Sequence, residues 1–192
     1  MLSPILYPII KRTIDISGAA SGLILTSPVL LFLAAIIKLT SKGPILYRGN
    51  RVGRYGKPFD LLKFRTMVPD AERLGGSATA NDDIRLTNVG RKIRKYKLDE
   101  LPQLWNVLKG DMSLVGPRPT SFDVSTYKLW HTERLEVLPG LTGLWQVSGR
   151  SDLDFDERLR LDIEYIERQS LWLDIQILIR TVTVVFTQDG AY

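Results

Sequence analysis

The chain of 192 residues contains no cysteine and only one histidine, His131. The absence of cysteine excludes thiol nucleophiles, zinc sites built from thiolates and disulfide bonds. Any catalysis must therefore use carboxylates, hydroxyls, amines or a metal ion that prefers oxygen ligands. The length suits one domain with a substantial core.

Acidic residues are missing from part of the chain. Residues 84–98 contain six lysines and arginines and no acid, and residues 42–65 contain seven against Asp60 alone. Residues 150–174 reverse this balance, with eight acids and four bases. The distribution predicts a basic face for an anionic ligand or for anionic lipid headgroups, and a solvated mixed surface is the alternative.

Charge is also absent from residues 16–37, which are largely apolar. About 20 such residues suffice for a transmembrane helix, so length alone permits a span. Pro28 lies within the segment and removes one helical hydrogen bond, while the side chain of Ser27 can bind the backbone group thus freed. We therefore expect residues 1–40 to form a re-entrant membrane helix, broken at Ser27-Pro28, that returns through the same leaflet.

The flanks of this segment support the same prediction. Basic residues stand on both sides of it, namely Lys11, Arg12, Lys38 and Lys42. The positive-inside tendency places both ends in the cytoplasm. No small-residue cleavage site marks a signal peptide. A buried core helix of a soluble protein is the alternative, but so long an apolar run is hard to bury in so small a domain.

The remaining residues predict a mainly helical α+β fold. Residues 45–47 and 59–65 predict a small β-hairpin, and residues 75–83 lack large apolar side chains and predict a mobile loop. A short helix is expected at 99–109, ended by Gly110. A capping box at 151–154 predicts a further amphipathic helix. Residues 171–186 suit either a core helix or a helix at the membrane surface.

Asp99 and Glu100 are the first candidate catalytic residues. At the start of the short helix, acids are favoured simply as caps, which is the alternative interpretation. In a chain without cysteine, however, an ionised carboxylate can attack phosphorus without a base to deprotonate it. An adjacent carboxylate can hold Mg²⁺, which bridges phosphate oxygens.

Several arginines and lysines are candidates for phosphate binding. Pro117 and Pro119 restrict the backbone on both sides of Arg118, which aims a guanidinium suited to bidentate phosphate contacts; an irregular surface loop is the alternative. The remaining candidates are Lys63 and Arg65 on one face of a strand, Arg94 before the acidic pair, and Arg150 after a glycine-rich turn. Each of these could equally be a surface charge.

Residues 97–119, KLDELPQLWNVLKGDMSLVGPRP, closely resemble the signature of the bacterial sugar transferase family, the monotopic phosphoglycosyl transferases. The resemblance extends over nearly the whole chain, including Lys63-Phe64-Arg65-Thr66-Met67 and Pro139-Gly140-Leu141-Thr142-Gly143. Larger members of this family carry further segments before the catalytic unit, so the chain is expected to be a minimal member or a catalytic domain. Residues 41–192 are then a catalytic domain on the cytosolic face, with amphipathic interfacial helices, forming one structural unit with residues 1–40.

The resemblance implies a reaction and its components. Asp99 is the expected nucleophile, Glu100 with Asp99 the ligand of Mg²⁺ or Mn²⁺, and Arg94, Arg118 and Arg150 contact phosphate or nucleotide. A hexose 1-phosphate would pass from a UDP-sugar to undecaprenyl phosphate, through an aspartyl intermediate and with release of UMP. UDP-galactose and UDP-glucose are the leading donors by resemblance only.

The resemblance further implies a setting and partners. The protein is expected at the cytoplasmic face of the bacterial inner membrane, as a monotopic enzyme of exopolysaccharide, O-antigen or glycoconjugate assembly. Membrane lipids are expected partners, and a homodimer is allowed. A non-catalytic peripheral adaptor that binds anionic lipids is the alternative function. Nucleic-acid binding would explain the basic charge but not the apolar N-terminal segment, so no nucleic-acid partner is expected.

Overall fold

The structure, a computed structural model, describes residues 6–75, 83–120, 128–149 and 153–187. Within these ranges the fold is mainly helical with little sheet, as the sequence predicts. In chain order the helices and strands are α1 (Leu6–Thr40), β1 (Leu46–Val52), β2 (Pro58–Phe64), α2 (Asn88–Lys95), α3 (Gln103–Lys109), β3 (Ser113–Val115), β4 (Gly140–Thr142), α4 (Phe155–Glu167) and α5 (Leu171–Thr187). Two 3₁₀ segments matter below, Leu98–Glu100 and Leu129–Glu136.

The predicted β-hairpin is confirmed. Strands β1 and β2 pair antiparallel, from Leu46 opposite Phe64 to Val52 opposite Pro58. The connecting turn places Gly56 at a φ of 75°, a backbone conformation that glycine adopts without steric cost. Leu61 is buried in a core cluster and Phe59, two residues earlier on the same face, packs against it, so this face of the hairpin belongs to the core.

A second, parallel pairing was not predicted from the sequence. Strand β3 lies beside β4, with Ser113 opposite Gly140 and Val115 opposite Thr142. A side chain at Gly140 would collide with the backbone of Gly116, so the two chains approach this closely only because glycine stands there. The pairing connects residues far apart in sequence and fixes the backbone that leads into Arg118.

Helix α1 packs against the rest of the chain at both of its ends. In its first half, Ala19 lies in a core cluster with Leu104 and Val107 of α3. In its second half, Leu33 and Ile37 pack with residues of β2 and α2. The helix therefore contributes to two core clusters of the domain that follows it.

Much of α1 nevertheless remains exposed and apolar. Its most apolar 18-residue window has a mean hydropathy of 2.3 and is only 11% buried, and among the described residues α1 alone has the length and composition to cross a membrane. Exposed side chains cluster at its middle, for example Leu25 at 79% and Phe32 at 63%. This exposure disagrees with a helix buried in the core of a soluble protein.

Ser27 and Pro28 lie inside α1, which continues as a helix through both residues. Proline has no N–H to donate to the carbonyl of Ile24, one turn earlier. The hydroxyl of Ser27 donates to that carbonyl at 2.7 Å, so the serine replaces the hydrogen bond that the proline removes. The predicted local role of Ser27 is confirmed, but the predicted break at Ser27-Pro28 is not found, because the serine hydroxyl replaces the lost bond and α1 continues through both residues. A return through the same leaflet stays a prediction.

The predicted helices at the acidic pair and near the C-terminus are present, with shifted boundaries. The first consists of the 3₁₀ turn Leu98–Glu100 followed by α3, and it ends at Gly110 with a φ of 93°. Helix α4 begins one turn later than expected, because Asp154 and Glu157 form the capping box. The predicted mobile loop lies mostly outside the described residues.

Helix α5 combines the two roles that the sequence left open. Ile177 and Asp174 are buried against the domain. The opposite side carries an exposed apolar row at helical spacing, formed by Trp172, Ile175, Ile179 and Val182. The helix is thus amphipathic, and its outer face is apolar.

Candidate active site

The acidic pair lies in the 3₁₀ turn that precedes α3. Lys97 enters the turn with a φ of 56°, and Pro102 leads into the first turn of α3, where the lost N–H has no helical partner. Asp99 is buried, with 3% of its surface exposed. The turn therefore holds this carboxylate inside the protein, at the positive end of a short helix.

Glu100 is the centre of a charge cluster. Nζ of Lys63, on β2, lies 2.9 Å from its Oε1, and Nη1 of Arg118 lies 3.1 Å from its Oε2. Nη2 of Arg118 also donates to Oε1, so the guanidinium binds the carboxylate in bidentate fashion. Residues from three separate parts of the chain thus meet at Glu100.

The cluster shifts the two carboxylates in opposite directions. Burial, reinforced by the charge of Glu100, raises the pKa of Asp99, and Lys63 and Arg94 oppose that rise. Burial alone would also raise the pKa of Glu100, but Arg118 and Lys63 outweigh it and hold that pKa well below its usual range. Two adjacent carboxylates with opposed pKa shifts are typical of functional sites.

One oxygen of Asp99 has no hydrogen-bond partner. Its Oδ1 is buried, and nothing in the described part of the chain donates to it. A buried oxygen without a hydrogen bond costs free energy, so its presence in a folded protein calls for a functional explanation. Together with Glu100 it offers two carboxylates, the set by which proteins hold Mg²⁺ when substrate phosphates and water complete the coordination. The described residues contain no cluster of three or more potential metal-ligating side chains.

Asn106 fixes the position of α3 against the hairpin. Its Oδ1 accepts from the amide of Leu62 at 3.0 Å, and its Nδ2 donates to the carbonyl of Asp60 at 2.7 Å. The side chain therefore pairs with the edge of β2 as a neighbouring strand would. Because Lys63 follows directly on β2, this contact brings its ammonium group to Glu100.

Asp15 performs a similar task from within α1. Its Oδ1 accepts from the hydroxyl of Ser113 at 3.0 Å and from the amide of Leu114 at 2.9 Å. These residues belong to β3, which leads into Arg118. The apolar helix therefore positions the loop of the site through a buried carboxylate. Neither Asp15 nor Asn106 was predicted, because their partners lie about 98 and 44 residues away in sequence.

The structure brings together some of the predicted binding residues and separates another. Lys63 and Arg118 meet at Glu100, and Arg94 acts on Asp99 through its charge. Arg65 instead binds the end of α1, where it donates to the hydroxyl of Ser41 at 2.7 Å and to the carbonyl of Lys42. These contacts favour a structural role for Arg65.

Arg150 lies outside the described residues. Its expected contact with phosphate or nucleotide stays a prediction.

A cavity of about 410 Å³ opens beside the charge cluster. Glu100 and Arg118 stand at its wall, and most other lining side chains are apolar. Those apolar residues include Leu101, Leu114, Leu141, Val147, Leu178 and Val185. The cavity thus joins a charged site to the inner side of α5, whose outer side carries the exposed apolar row.

Comparison with known proteins agrees with this architecture. Residues 6–188 match the family described as bacterial sugar transferase. The match covers nearly all of the chain, including the 3₁₀ turn with Asp99 and Glu100, strand β3 and the Arg118 loop. The chain therefore belongs to the bacterial sugar transferase family.

Individual relatives carry related names. The chain is 46% identical to undecaprenyl-phosphate galactose phosphotransferase of Salmonella typhimurium and 45% identical to galactosyl transferase CpsE of Streptococcus agalactiae, each over 95% of this chain. It spans only 42% and 43% of the lengths of those two proteins. It spans 90% of the uncharacterized sugar transferase EpsL of Bacillus subtilis, at 43% identity.

Proposed function

We propose that this chain transfers a sugar 1-phosphate from a UDP-sugar to undecaprenyl phosphate. The observation that carries the proposal is the buried carboxylate of Asp99, with one oxygen that accepts no hydrogen bond, next to Glu100 and its two cations. Membership of the sugar transferase family and the names of the relatives support the substrate classes. Galactose is the first sugar to test, because two relatives are named for it.

The proposed reaction has two displacements at one phosphorus. A carboxylate oxygen of Asp99 attacks the phosphorus that bears the sugar, and the bond from that phosphorus to the bridging oxygen breaks. UMP leaves with the bridging oxygen and its electron pair. A phosphate oxygen of undecaprenyl phosphate then attacks the same phosphorus, the bond to Asp99 breaks, and the carboxylate is restored as undecaprenyl diphosphosugar forms.

Mg²⁺ suits the residues present, with Mn²⁺ as the alternative. Asp99 and Glu100 would hold the ion, since their carboxylates are ligands that hard cations prefer. When bound, it supplies positive charge to the phosphate oxygens of the donor. Lys63 and Arg118 stand at the same carboxylate and provide further positive charge for those oxygens.

The membrane arrangement we propose is re-entrant, with both ends of α1 on the cytoplasmic side. A straight helix of 35 residues is about 50 Å long, enough to span a bilayer. Yet Arg12 donates to the carbonyls of Val107 and Leu108 near one end, and Ile37 packs with the domain near the other. Contact of both ends with one domain supports a helix that enters and leaves on the same side.

We place the lipid acceptor in the cavity beside α5. Its apolar lining suits isoprene units, and Arg118 at its wall suits the phosphate of the same molecule. The exposed apolar row of α5 would lie in the bilayer interface, which brings the cavity to the level where a lipid phosphate resides. The donor, which is soluble, would then reach Asp99 from the aqueous side.

A direct assay tests the proposal. Purified protein in detergent or lipid nanodiscs is incubated with UDP-galactose, UDP-glucose or their N-acetyl forms, with undecaprenyl phosphate and Mg²⁺. We expect release of UMP and a lipid-linked sugar from at least one donor, and loss of both products with a chelator. A protein that binds anionic vesicles but releases no UMP from any donor would instead be the adaptor considered above.

A further inference from the structure

A buried ion pair outside the charge cluster contacts the backbone of Arg118. Arg134 belongs to the 3₁₀ segment Leu129–Glu136 and Asp162 to α4, and they are only 5% and 1% exposed. Nη2 of Arg134 lies 2.7 Å from Oδ2 of Asp162. The same nitrogen donates to the carbonyl oxygen of Arg118. Burial raises the pKa of Asp162 to about 7, and the charge of Arg134 and the main-chain amide of Arg118 oppose that rise, so the pair is fully charged only above about pH 7.

The loop around Arg118 needs such support. Pro117 and Pro119 have no N–H, so the Arg118 amide and carbonyl are the main polar groups by which this stretch can be held. Before Arg118, Gly116 donates to Thr142 and the loop is fixed to β4. After Arg118, residues 118–120 show no comparable sheet pairing within the described ranges. Arg134 and Asp162 contact the loop at this point, beyond the end of the strand pairing.

The burial of this pair costs free energy, and a gain in the stability of the fold does not account for its presence. Two charges removed from water are often no better for stability than apolar residues of similar volume. What the pair supplies is direction, because a planar guanidinium that donates to the Arg118 carbonyl and lies in ion-pair contact with a buried carboxylate has little freedom to move. A shift of the Arg118 backbone would displace its guanidinium from Glu100.

We propose that Arg134 and Asp162 are positioning residues for Arg118. They touch neither Asp99 nor Glu100 in the described contacts, and they act by fixing the backbone from which the phosphate-binding guanidinium extends. The expected effect on kinetics rests on the proposed function, in which Arg118 binds the donor phosphate.

The variant Arg134→Met/Asp162→Leu tests the proposal, because it removes both charges together and leaves neither one buried alone. We expect it to fold with a Tm within a few degrees of the native protein. Its kcat for UMP release from UDP-galactose should fall about tenfold or more, the loss that roughly 1.4 kcal/mol of misplaced binding produces. The matched control is Arg168→Met/Glu164→Leu, which removes an exposed ion pair from the same helix and should leave turnover unchanged.

A double-mutant cycle distinguishes positioning from general damage. In an Arg118→Met background the charges of Arg134 and Asp162 have no guanidinium to position, so their removal should cost little further activity. If the losses simply add, or if the Arg134→Met/Asp162→Leu variant keeps native turnover, the positioning role is wrong.

Hydrogen exchange separates this inference from the proposed reaction. The peptide that contains Gly116, Arg118 and Thr120 should exchange faster in the Arg134→Met/Asp162→Leu variant than in the native protein or the control. If the peptide exchanges faster in the variant but the native protein releases no UMP, the proposed reaction is refuted and the anchoring of the loop is retained. Unchanged exchange would refute the anchoring whatever the activity.

Discussion

At the scale of single residues, Asp99 and Glu100 are adjacent but placed in different surroundings. Asp99 is enclosed, with an oxygen that accepts no hydrogen bond from the described residues, while both oxygens of Glu100 bind cations. Burial raises the pKa of the first, and the cations hold the pKa of the second low. We therefore propose two different tasks for the pair, with Asp99 as the nucleophile and Glu100 as the organiser of positive charge.

Substitution of each carboxylate separates these tasks. Asp99→Asn should reduce UMP release by roughly 10⁴-fold or more, because an amide is neutral and a poor nucleophile. Glu100→Gln should lower turnover less and make it depend on a higher Mg²⁺ concentration. Native enzyme given UDP-galactose without lipid should gain one hexose phosphate on the peptide that contains Asp99, as measured by mass spectrometry.

The adduct must also be competent. Addition of undecaprenyl phosphate should discharge it and produce the lipid-linked sugar. If Asp99→Asn retains near-normal turnover and no adduct forms, Asp99 and Glu100 are helix caps and nothing more.

Arg118 provides a second test at this scale. Arg118→Lys keeps the charge but loses the planar fork that now binds Glu100 through two nitrogens. A charge-assisted hydrogen bond contributes about 1.5–3 kcal/mol, so kcat/KM for the UDP-sugar should fall roughly 10- to 100-fold. Arg91→Lys, at an exposed position of α2, is the control and should behave as native. Native kinetics in Arg118→Lys would remove the guanidinium from the site.

At the scale of elements, α1 both carries the apolar surface on which the membrane prediction rests and contacts the elements of the candidate active site. Its apolar middle is exposed, while its polar residues Arg12 and Asp15 bind α3 and β3. Because Arg12 and Asp15 hold the domain that follows α1, the exposed apolar side of the helix needs a cover other than that domain. A bilayer leaflet would provide such a cover.

Cysteine labelling can decide the topology of α1, because the chain has no cysteine of its own. Thr13→Cys and Lys42→Cys introduce exposed thiols near the two ends of the helix, and both should react with a membrane-impermeant maleimide added from the cytoplasmic side. Leu25→Cys, at a highly exposed position in the middle, should react only after detergent is added. Reaction of Thr13→Cys and Lys42→Cys from opposite sides would mean that α1 spans the membrane.

The buried contact between α4 and the Leu129–Glu136 segment makes the stability of the protein depend on pH. Burial raises the pKa of Asp162 from 3.8 to about 7, against the opposing charge of Arg134. The folded chain therefore holds a proton that the unfolded chain releases above pH 4, and stability falls as the pH rises from about 4 to about 7. The full difference corresponds to roughly 4 kcal/mol at most.

Urea unfolding at pH 5 and pH 8 measures this contribution. Native protein should lose more stability between these pH values than Arg134→Met/Asp162→Leu, in which the carboxyl is absent. Other titrating groups affect both proteins alike and cancel in the comparison. Equal losses in the two proteins would show that Asp162 ionises normally in the folded chain.

At the scale of the whole molecule, the sequence predicted local features better than distant ones. The hairpin, the turn with Asp99 and the glycine end at Gly110 follow from spacing and turn chemistry within a few residues, and they were predicted correctly. Lys63 and Arg118 were recognised as phosphate candidates, but their meeting at Glu100 depends on contacts far apart in sequence. Asp15, Asn106, Arg134 and Asp162 were missed because a buried polar side chain has no local pattern when its partner lies tens of residues away.

The geometry of the strand explains why Arg65 lies away from Lys63. Its position two residues after Lys63 suggests the same face of a strand, and hence the same ligand. Strand β2 ends at Phe64, however, and Arg65 turns to the end of α1, where Ser41 and Lys42 accept its hydrogen bonds. Alternation along a strand predicts a shared face only while the strand continues.

At this scale, the proposed function has a polar donor and a lipid acceptor approach one charge cluster from two sides. The cavity beside α5 is the part that we assign to the lipid, and Val185 lines it while Val182 lies on the exposed outer face. Val185→Trp should therefore fill the cavity and raise the KM for undecaprenyl phosphate severalfold, whereas UMP release in a single turnover without lipid should stay near native. Val182→Trp places the same side chain outside and should change neither quantity. If Val185→Trp slows UMP release in the absence of lipid instead, the cavity receives the nucleotide sugar, and the acceptor must approach Asp99 along another surface.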